Sequence, residues 1–510
     1  MKSLSLIKKA LISVYHKDGL DSLLSVLSEN ACEFISTGGT ASYIRDLGYH
    51  VTDVSELTGY PEILGGRVKT LHPAIFGGIL FRRDHEMDLA EINKHEMAGI
   101  DLVVVDLYPF EETLQSGATE SEIIEKIDIG GISLIRAAAK NHRFTAIVSD
   151  RKQYLKVRDW LKEQHGSLSA EQKKELAYEA FAKSSGYDSA IMNYFSGERP
   201  GEFLRIAGDQ RLALRYGENP HQKGWFFGES EKFFKQLNGK EISYNNFLDI
   251  DAAFSYLSEF DGSTPAFVII KHNNACGAAI HHDPVFAWRR ALECDPLSAF
   301  GGVIICNSRI DEILAGEIDK IFFEVLIAPG YSAGAIQLLK KKSNRIILQS
   351  REYPKMDLNY RSCMGGFLVQ EADYSTEMGN DFKTVSHSSP QASELSDLEF
   401  ALKICKHSKS NTIILAKNGQ LVGAGAGLTS RVDALKLAIE RAKTFGLNTE
   451  GAVMASDAFF PFPDCVEIAA SAGIKAVVQP GGSIKDKDSI EAANRLGMTM
   501  VFTGIRHFKH

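Results

Sequence analysis

The sequence predicts an α/β protein built as two successive units. Three observations carry that prediction. Apolar strand-like runs alternate with amphipathic helical stretches through residues 1–150. A helical segment and a polar stretch close that part near residue 197, and more than 300 further residues then resume the alternation. Such alternation argues for parallel sheets covered by helices. At 510 residues the chain is also too long for one ordinary core.

In chain order, the strands expected in the first unit are Ala10–Val14, Glu33–Ser36, Gly78–Phe81, Leu102–Leu107 and Thr145–Ser149. Helices fall near 19–29, 40–47, 85–97, 119–126 and 131–140. Residues 169–195 carry apolar positions Leu176, Ala180, Tyr187 and Ile191 at helical spacing, and SGERPG (196–201) reads as a linker. The expected boundary is therefore 1–197 and 198–510. In the second unit, Ala266–Ile270 reads as a buried strand. SNTIILAKNGQLVGAGAG (410–427) reads as a hairpin turning at Asn418-Gly419.

Composition excludes several classes. A net charge of -8 argues against general nucleic-acid binding, though local cations still suffice for a phosphorylated small molecule. No apolar run approaches the ~18 residues of a membrane span, and the N-terminus reads as a first strand rather than a signal peptide. The seven cysteines (Cys32, Cys276, Cys294, Cys306, Cys363, Cys405, Cys465) form no C-x-x-C pair, so neither a disulfide framework nor a zinc site is indicated. A reduced, cytoplasmic enzyme is expected.

AFVIIKHNNACG (266–277) is the most informative stretch. Its core strand ends in Lys271-His272, and a cation beside an imidazole suits proton movement, because the ammonium favours the neutral, basic imidazole. FISTGGTA (34–41) offers backbone amides and the hydroxyls of Ser36, Thr37 and Thr40 as a phosphate cradle, although it is not a P-loop. GGRVKTLHP (65–73) adds Arg67, Lys69 and His72; VVVDLYPF (103–110) places Tyr108 past a strand end, where open α/β sheets bind ligands. IDIGGISLIRAAAKNH (127–142) offers Asp128 before a helix and Lys140 near its end, residues that could equally be a cap and a dipole partner. In the second unit, LRYGENPHQ (214–222), SYNNFLDIDAA (243–253) and ECDPLSAFGG (293–302) are polar loops compatible with turn chemistry. ASDAFFPFPD (455–464) reads as an exposed aromatic cluster between acids, fit for a flat heteroaromatic ligand.

Together with AKNGQ, GAGAG, QPGG and FTGIRHF, these strings resemble, nearly end to end, the bifunctional AICAR transformylase/IMP cyclohydrolase family. The resemblance implies the last two steps to IMP: formyl transfer from 10-formyltetrahydrofolate to AICAR, then cyclising dehydration of formyl-AICAR. It implies a methylglyoxal-synthase-like parallel-sheet first domain and a transformylase of two cytidine-deaminase-like subdomains, without a metal. It implies a homodimer with transformylase sites across the interface, and neither a nucleic-acid nor a membrane partner.

Carried onto this sequence, the resemblance makes His272 the base, Lys271 the oxyanion partner and Asn411 the group that keeps amine and imidazole in register. Arg215, Tyr216, Gly301, Glu324, Arg431, Phe459 and Arg506 would hold AICAR, while Asp464, Ser483 and Ile484 would hold the folate. In the cyclohydrolase, Lys140 would be the proton donor and acceptor, with Lys69, Tyr108 and Asp128 as partners. Ser13, Lys17, Ser36, Thr37, Gly38, Gly39 and Arg67 would bind the nucleotide. Three positions depart from the family pattern. Ala275 stands where bacterial relatives usually carry proline, Tyr15-His16 replaces the usual Ser-Asp before Lys17, and Asp106 replaces the usual Asn before LYPF. The competing readings are a lone methylglyoxal-synthase-like lyase, which leaves Lys271-His272 unexplained, and an inactive nucleotide sensor, which the intact site residues oppose.

Overall fold

The computed structural model describes residues 4–197, 203–206, 208 and 211–510. The chain divides into two compact units, residues 1–209 and 210–510. The expected linker at 196–201 falls largely outside the described residues; before it, one helix runs from Ala170 to Ser196.

The first unit is built on five parallel strands: β1 (Lys9–Val14), β2 (Glu33–Ser36), β3 (Val51–Asp53), β4 (Leu102–Asp106) and β5 (Ala146–Val148). Their spatial order is β3-β2-β1-β4-β5. Leu102–Val104 and Ala146–Val148 are fully buried, as strands covered on both faces must be. The order reverses direction beside β1, and the crevice outside the carboxyl ends of β1, β2 and β4 is where such a sheet binds ligands.

One sequence expectation is corrected. Gly78–Phe81 is no strand; Pro73–Leu80 forms a helix, with Pro73 at its first turn and the His72 ring accepting from the Ala74 amide. A short apolar run cannot distinguish a buried helix from a strand, and the Pro start decides it. Asn141 and Thr145 secure that helix's end, donating to the carbonyls of Ile79 and Phe81 and of Ile79 and Ile100 respectively.

The second unit centres on a twelve-stranded sheet. Its strands are β6 (Phe234–Asn238), β7 (Ala266–Lys271), β8 (Asn274–Ile280), β9 (Val303–Cys306), β10 (Val325–Ala328), β11 (Ile346–Ser350), β12 (Lys383–Thr384), β13 (Ile413–Lys417), β14 (Gln420–Gly425), β15 (Val453–Ser456), β16 (Ala476–Gln479) and β17 (Thr499–Phe502). The order is β6-β11-β10-β9-β7-β8-β14-β13-β15-β16-β17-β12.

This sheet is one motif used twice. Each half has a helix, an antiparallel hairpin, a second helix, and three parallel strands joined by helices. The halves meet where Ala279 of β8 pairs antiparallel with Gln420 of β14. In both hairpins a glycine lets the following helix press on the strand: a Cβ on Gly277 would strike the Ala291 carbonyl, and one on Gly423 the Ala438 carbonyl. A side chain there forces backbone apart, a cost of about 1–3 kcal/mol. By contrast, Gly316, inside the helix Glu312–Ile318, faces open space. We therefore expect Gly423→Ala to lower the urea midpoint of the second unit, and Gly316→Ala to leave the unfolding free energy unchanged or raise it by up to ~1 kcal/mol.

Candidate active sites

The first unit holds a cavity of about 720 Å³ at the carboxyl ends of β1, β2 and β4. Ser13, Lys17, Thr37, Gly38, Gly39, Arg67, Lys69, Tyr108 and Asp128 all line it. Thr40 fixes the cradle, its hydroxyl donating to the Val14 carbonyl at 2.9 Å and accepting from the Val14 amide. Gly38 has φ +47 and starts the helix Gly38–Asp46, so its amide end opens toward the cavity, with Lys69 Nζ close by. Lys17 is steered inward by bonds from its ammonium to the carbonyls of Val14 and Tyr15. Lys69 pairs with Glu62 at 2.9 Å and Arg67 with Glu125.

Asp128 sits just before the helix Gly130–Lys140, and its carboxylate accepts from the Gly131 amide at 2.7 Å. Burial raises its pKa above the usual carboxylate range, against the pull of the Gly131 and Tyr108 amides, and the nearby Asp106 charge adds to the rise. A carboxyl so placed can hold a proton for delivery.

Two expected residues are elsewhere. Ser36 is fully buried and donates to the Ile12 carbonyl, so its hydroxyl is a strut rather than a cradle wall. Lys140 is exposed at the far end of the helix from Asp128, roughly 15 Å away by helical rise, and does not line the cavity. Sequence reasoning missed Lys126 and Tyr15, which do line it.

In the second unit, strand directions collect the other expected residues on one sheet edge. Lys271 ends β7, and the antiparallel neighbour β9 begins there, beside Gly301; Glu324 immediately precedes β10. Because β8 and β14 run antiparallel, the same edge carries Asn411 just before β13, Phe459 in the loop after β15, Asp464 at the start of the helix Asp464–Ser471, and Ser483 and Arg506 in the loops after β16 and β17. The loop with Arg215 and Tyr216 is drawn to this edge by Asn245, which donates to the Glu218 carbonyl. Arg215 lies over the Tyr216 ring.

His272 and Asn273 form the hairpin turn, with φ of +51° and +64°. The corresponding turn in the other half is Asn418-Gly419, residue types suited to that backbone. Histidine adopts the left-handed region less readily than asparagine or glycine, so His272 carries a modest backbone cost that its counterpart Asn418 does not. Both turns are held alike. Asp249 accepts from the Asn273 amide at 2.8 Å, as Asp397 accepts from the Asn418 and Gly419 amides. Lys271 Nζ donates to the Phe300 carbonyl as Lys417 Nζ donates to that of Glu450. Burial raises the Asp249 pKa, while the Asn273 amide and the charges of His272 and Lys271 oppose it.

Asn274 ties the turn to the other half, donating to the His272 carbonyl and accepting from the Lys409 amide. Asn411 Nδ2 donates to the Leu428 carbonyl at 3.0 Å. Ala275 donates its amide to the Tyr256 hydroxyl, a bond proline could not make. Glu324 accepts from Asn246, and Arg431 donates to Ser456 and Asp457.

The expected exposed aromatic cluster needs correction: Phe460 is fully buried and Asp457 is buried against Arg431, leaving Phe462 outside. Lys485 lies over the Phe462 ring, which brings the loop of Asp464 against that of Ser483 and Ile484. Among the described residues, no three His, Cys, Asp or Glu side chains are grouped to hold a metal.

Comparison with known proteins matches two stretches of the chain, whose boundary falls inside the first compact unit. Residues 138–441 match the AICARFT/IMPCHase bienzyme family and residues 19–133 an MGS-like domain. The chain belongs to the AICARFT/IMPCHase bienzyme family. It is 56% identical to the bifunctional purine biosynthesis protein PurH of Bacteroides thetaiotaomicron over 99% of both chains. It is 45% identical to that of Aquifex aeolicus, over 98% of this chain and 100% of the relative, and 47% to that of Rhodospirillum rubrum over 99% of both. The MGS-like match and the duplicated second sheet agree with the α/β fold class expected of the family.

The family's C-terminal stretch is anchored here by His507, whose ring bonds Asp373 at 2.7 Å and Glu377 at 2.8 Å. Burial alone would lower its pKa, but the two carboxylates lift it to about 9. A folded pKa above the unfolded value of ~6.5 stabilises fully below pH ~6.5 and loses that contribution as pH rises through 9. The unfolding free energy from urea titration should accordingly fall between pH 6.5 and 9.5, by an amount on the order of a few kcal/mol, and His507→Asn should flatten that fall.

Proposed function

We propose that this chain catalyses the last two steps to IMP, with formyl transfer in the second unit and cyclisation in the first. The observation that carries the reading is spatial. One sheet edge gathers Lys271, His272, Gly301, Glu324, Asn411 and the 459–506 loops, while a separate cavity gathers Lys69, Tyr108, Asp128 and a phosphate cradle.

For formyl transfer, the AICAR amine attacks the formyl carbon of 10-formyltetrahydrofolate. The new C–N bond forms as His272 accepts the amine proton, Lys271 offsets the negative oxygen of the tetrahedral intermediate, and the old C–N10 bond breaks as N10 is protonated. Arg215, Tyr216, Arg431, Phe459 and Arg506 hold AICAR; Asp464, Ser483 and Ile484 face the folate.

For cyclisation, the carboxamide nitrogen attacks the formyl carbon within one molecule, so positioning supplies much of the rate. One proton leaves each flanking nitrogen, and the former formyl oxygen departs with both as water. Geometry favours Lys69, Asp128 and Tyr108 for these transfers over Lys140.

The second unit also carries a two-stranded arm, Leu358–Cys363 paired with Gly366–Glu371, exposed along nearly its whole length and including Tyr360, Phe367 and Leu368. Such a ribbon is marginal alone, which supports a homodimer in which a second copy covers it.

His272→Ala should lower formyl-AICAR formation by at least ~100-fold and leave cyclisation of supplied formyl-AICAR intact. Lys69→Ala should do the reverse, with Lys140→Ala cyclising at near the wild-type rate; a Lys140→Ala loss beside an active Lys69→Ala returns the role to Lys140. Sedimentation velocity should give the dimer mass, and a monomer at micromolar concentration removes the interface reading.

A further inference from the structure

Two of the three departures from the family pattern meet in space. One oxygen of Asp106, at the end of β4, accepts from the His16 amide at 2.9 Å and bonds the His16 ring nitrogen at 2.7 Å. The Asp106 carbonyl accepts from the Tyr15 amide, and Val14 pairs with Asp106 in the ladder between β1 and β4. The replaced residues are thus each other's partners, 90 positions apart in sequence.

What this pairing sets in place is the Tyr15 ring. It stands edge-to-face against Tyr108, with centroids 5.6 Å apart and planes at 77°. Lys126 lies over both rings, its ammonium 5.1 Å from one centroid and 5.7 Å from the other. Both tyrosines are 39% exposed and both line the cavity, so the pair is a wall rather than core packing. Lys126 makes no ion pair among the described residues, leaving its ammonium available to a ligand oxygen. The remainder of the lining is mostly glycine, hydroxyl and charge. An apolar ring surface there would be matched by the flat heterocycle of a ribonucleotide, with Lys17 and the Gly38 helix start available to its phosphate.

Resting on the cyclisation reading of this cavity, we propose that Tyr15 is a further substrate-positioning residue. With Tyr108 and Lys126 it forms the wall against which the imidazole ring of formyl-AICAR lies, and the His16–Asp106 pair holds that wall in place. The cavity's phosphate contacts fix one end of the substrate, and the aromatic wall fixes the plane in which the carboxamide nitrogen meets the formyl carbon.

Steady-state cyclisation of formyl-AICAR by the full chain tests this, with circular dichroism and the unfolding midpoint confirming that each variant is folded. Tyr15→Ser should raise KM about tenfold with kcat within threefold, and Tyr15→Phe should stay within twofold on both. Asp106→Asn should raise KM several-fold. The double variant His16→Asp with Asp106→Asn, which returns a carboxylate to position 16 opposite an amide at 106, should recover most of that loss. A Tyr15→Ser KM within twofold of wild type overturns the role of Tyr15. Equal KM values for the single and double variants overturn the role of the pair. A wild-type chain that does not cyclise formyl-AICAR overturns the underlying reading instead.

Discussion

The pairing of β8 with β14 is the constraint on which the second unit depends. It joins two copies of one motif head to tail, so that the turn of one hairpin lies at the open end of the other. That crossing puts His272 from the first half on the same edge as Asn411 and the 457–464, 480–485 and 503–508 loops from the second. Neither half has this set alone. The opposite edge received the matching turn, but there Arg290 donates to the carbonyls of Lys417 and Asn418 and to Gln420, closing it with structural bonds.

Comparison of the two turns separates support from chemistry. The shared parts, an aspartate on the preceding helix and a lysine on a loop carbonyl, hold a tight hairpin in either half. What differs is the residue at the turn itself. Asn418-Gly419 suits the backbone at little cost, whereas His272 takes the left-handed conformation less readily. The imidazole therefore rests on scaffolding whose stability does not require it.

Much of this was legible from residue order. The alternation in the first 150 residues gave four of five parallel strands, and the Asn-Gly turn gave the second hairpin, because local pattern and final burial agree there. The strand assigned to Gly78–Phe81 failed because GGILF carries no period of its own and the helix is set from Pro73 and His72 upstream. The FFPF cluster failed for a related reason: sequence shows that phenylalanines are adjacent, not that Phe460 turns into the core while Phe462 turns out. The Lys140 position had been readable in outline, since ten residues of helix separate it from Gly130. Motif adjacency concealed that distance. Lys126 and Tyr15 had no signal of their own, because their meaning comes from a contact across the sheet.

Ala275 shows how a single loop residue becomes entangled with distant ones. Its amide donates to Tyr256, the Tyr256 hydroxyl donates to Ser408, and Ser408 donates to the Ile404 carbonyl. Two residues of this relay sit on helices from different halves of the sheet. A proline at position 275 would remove the first donor and leave the buried Tyr256 oxygen one partner short. Residues 256, 275 and 408 are accordingly one energetic unit, and a graft that replaces one of them must be judged by the bonds it takes from the other two.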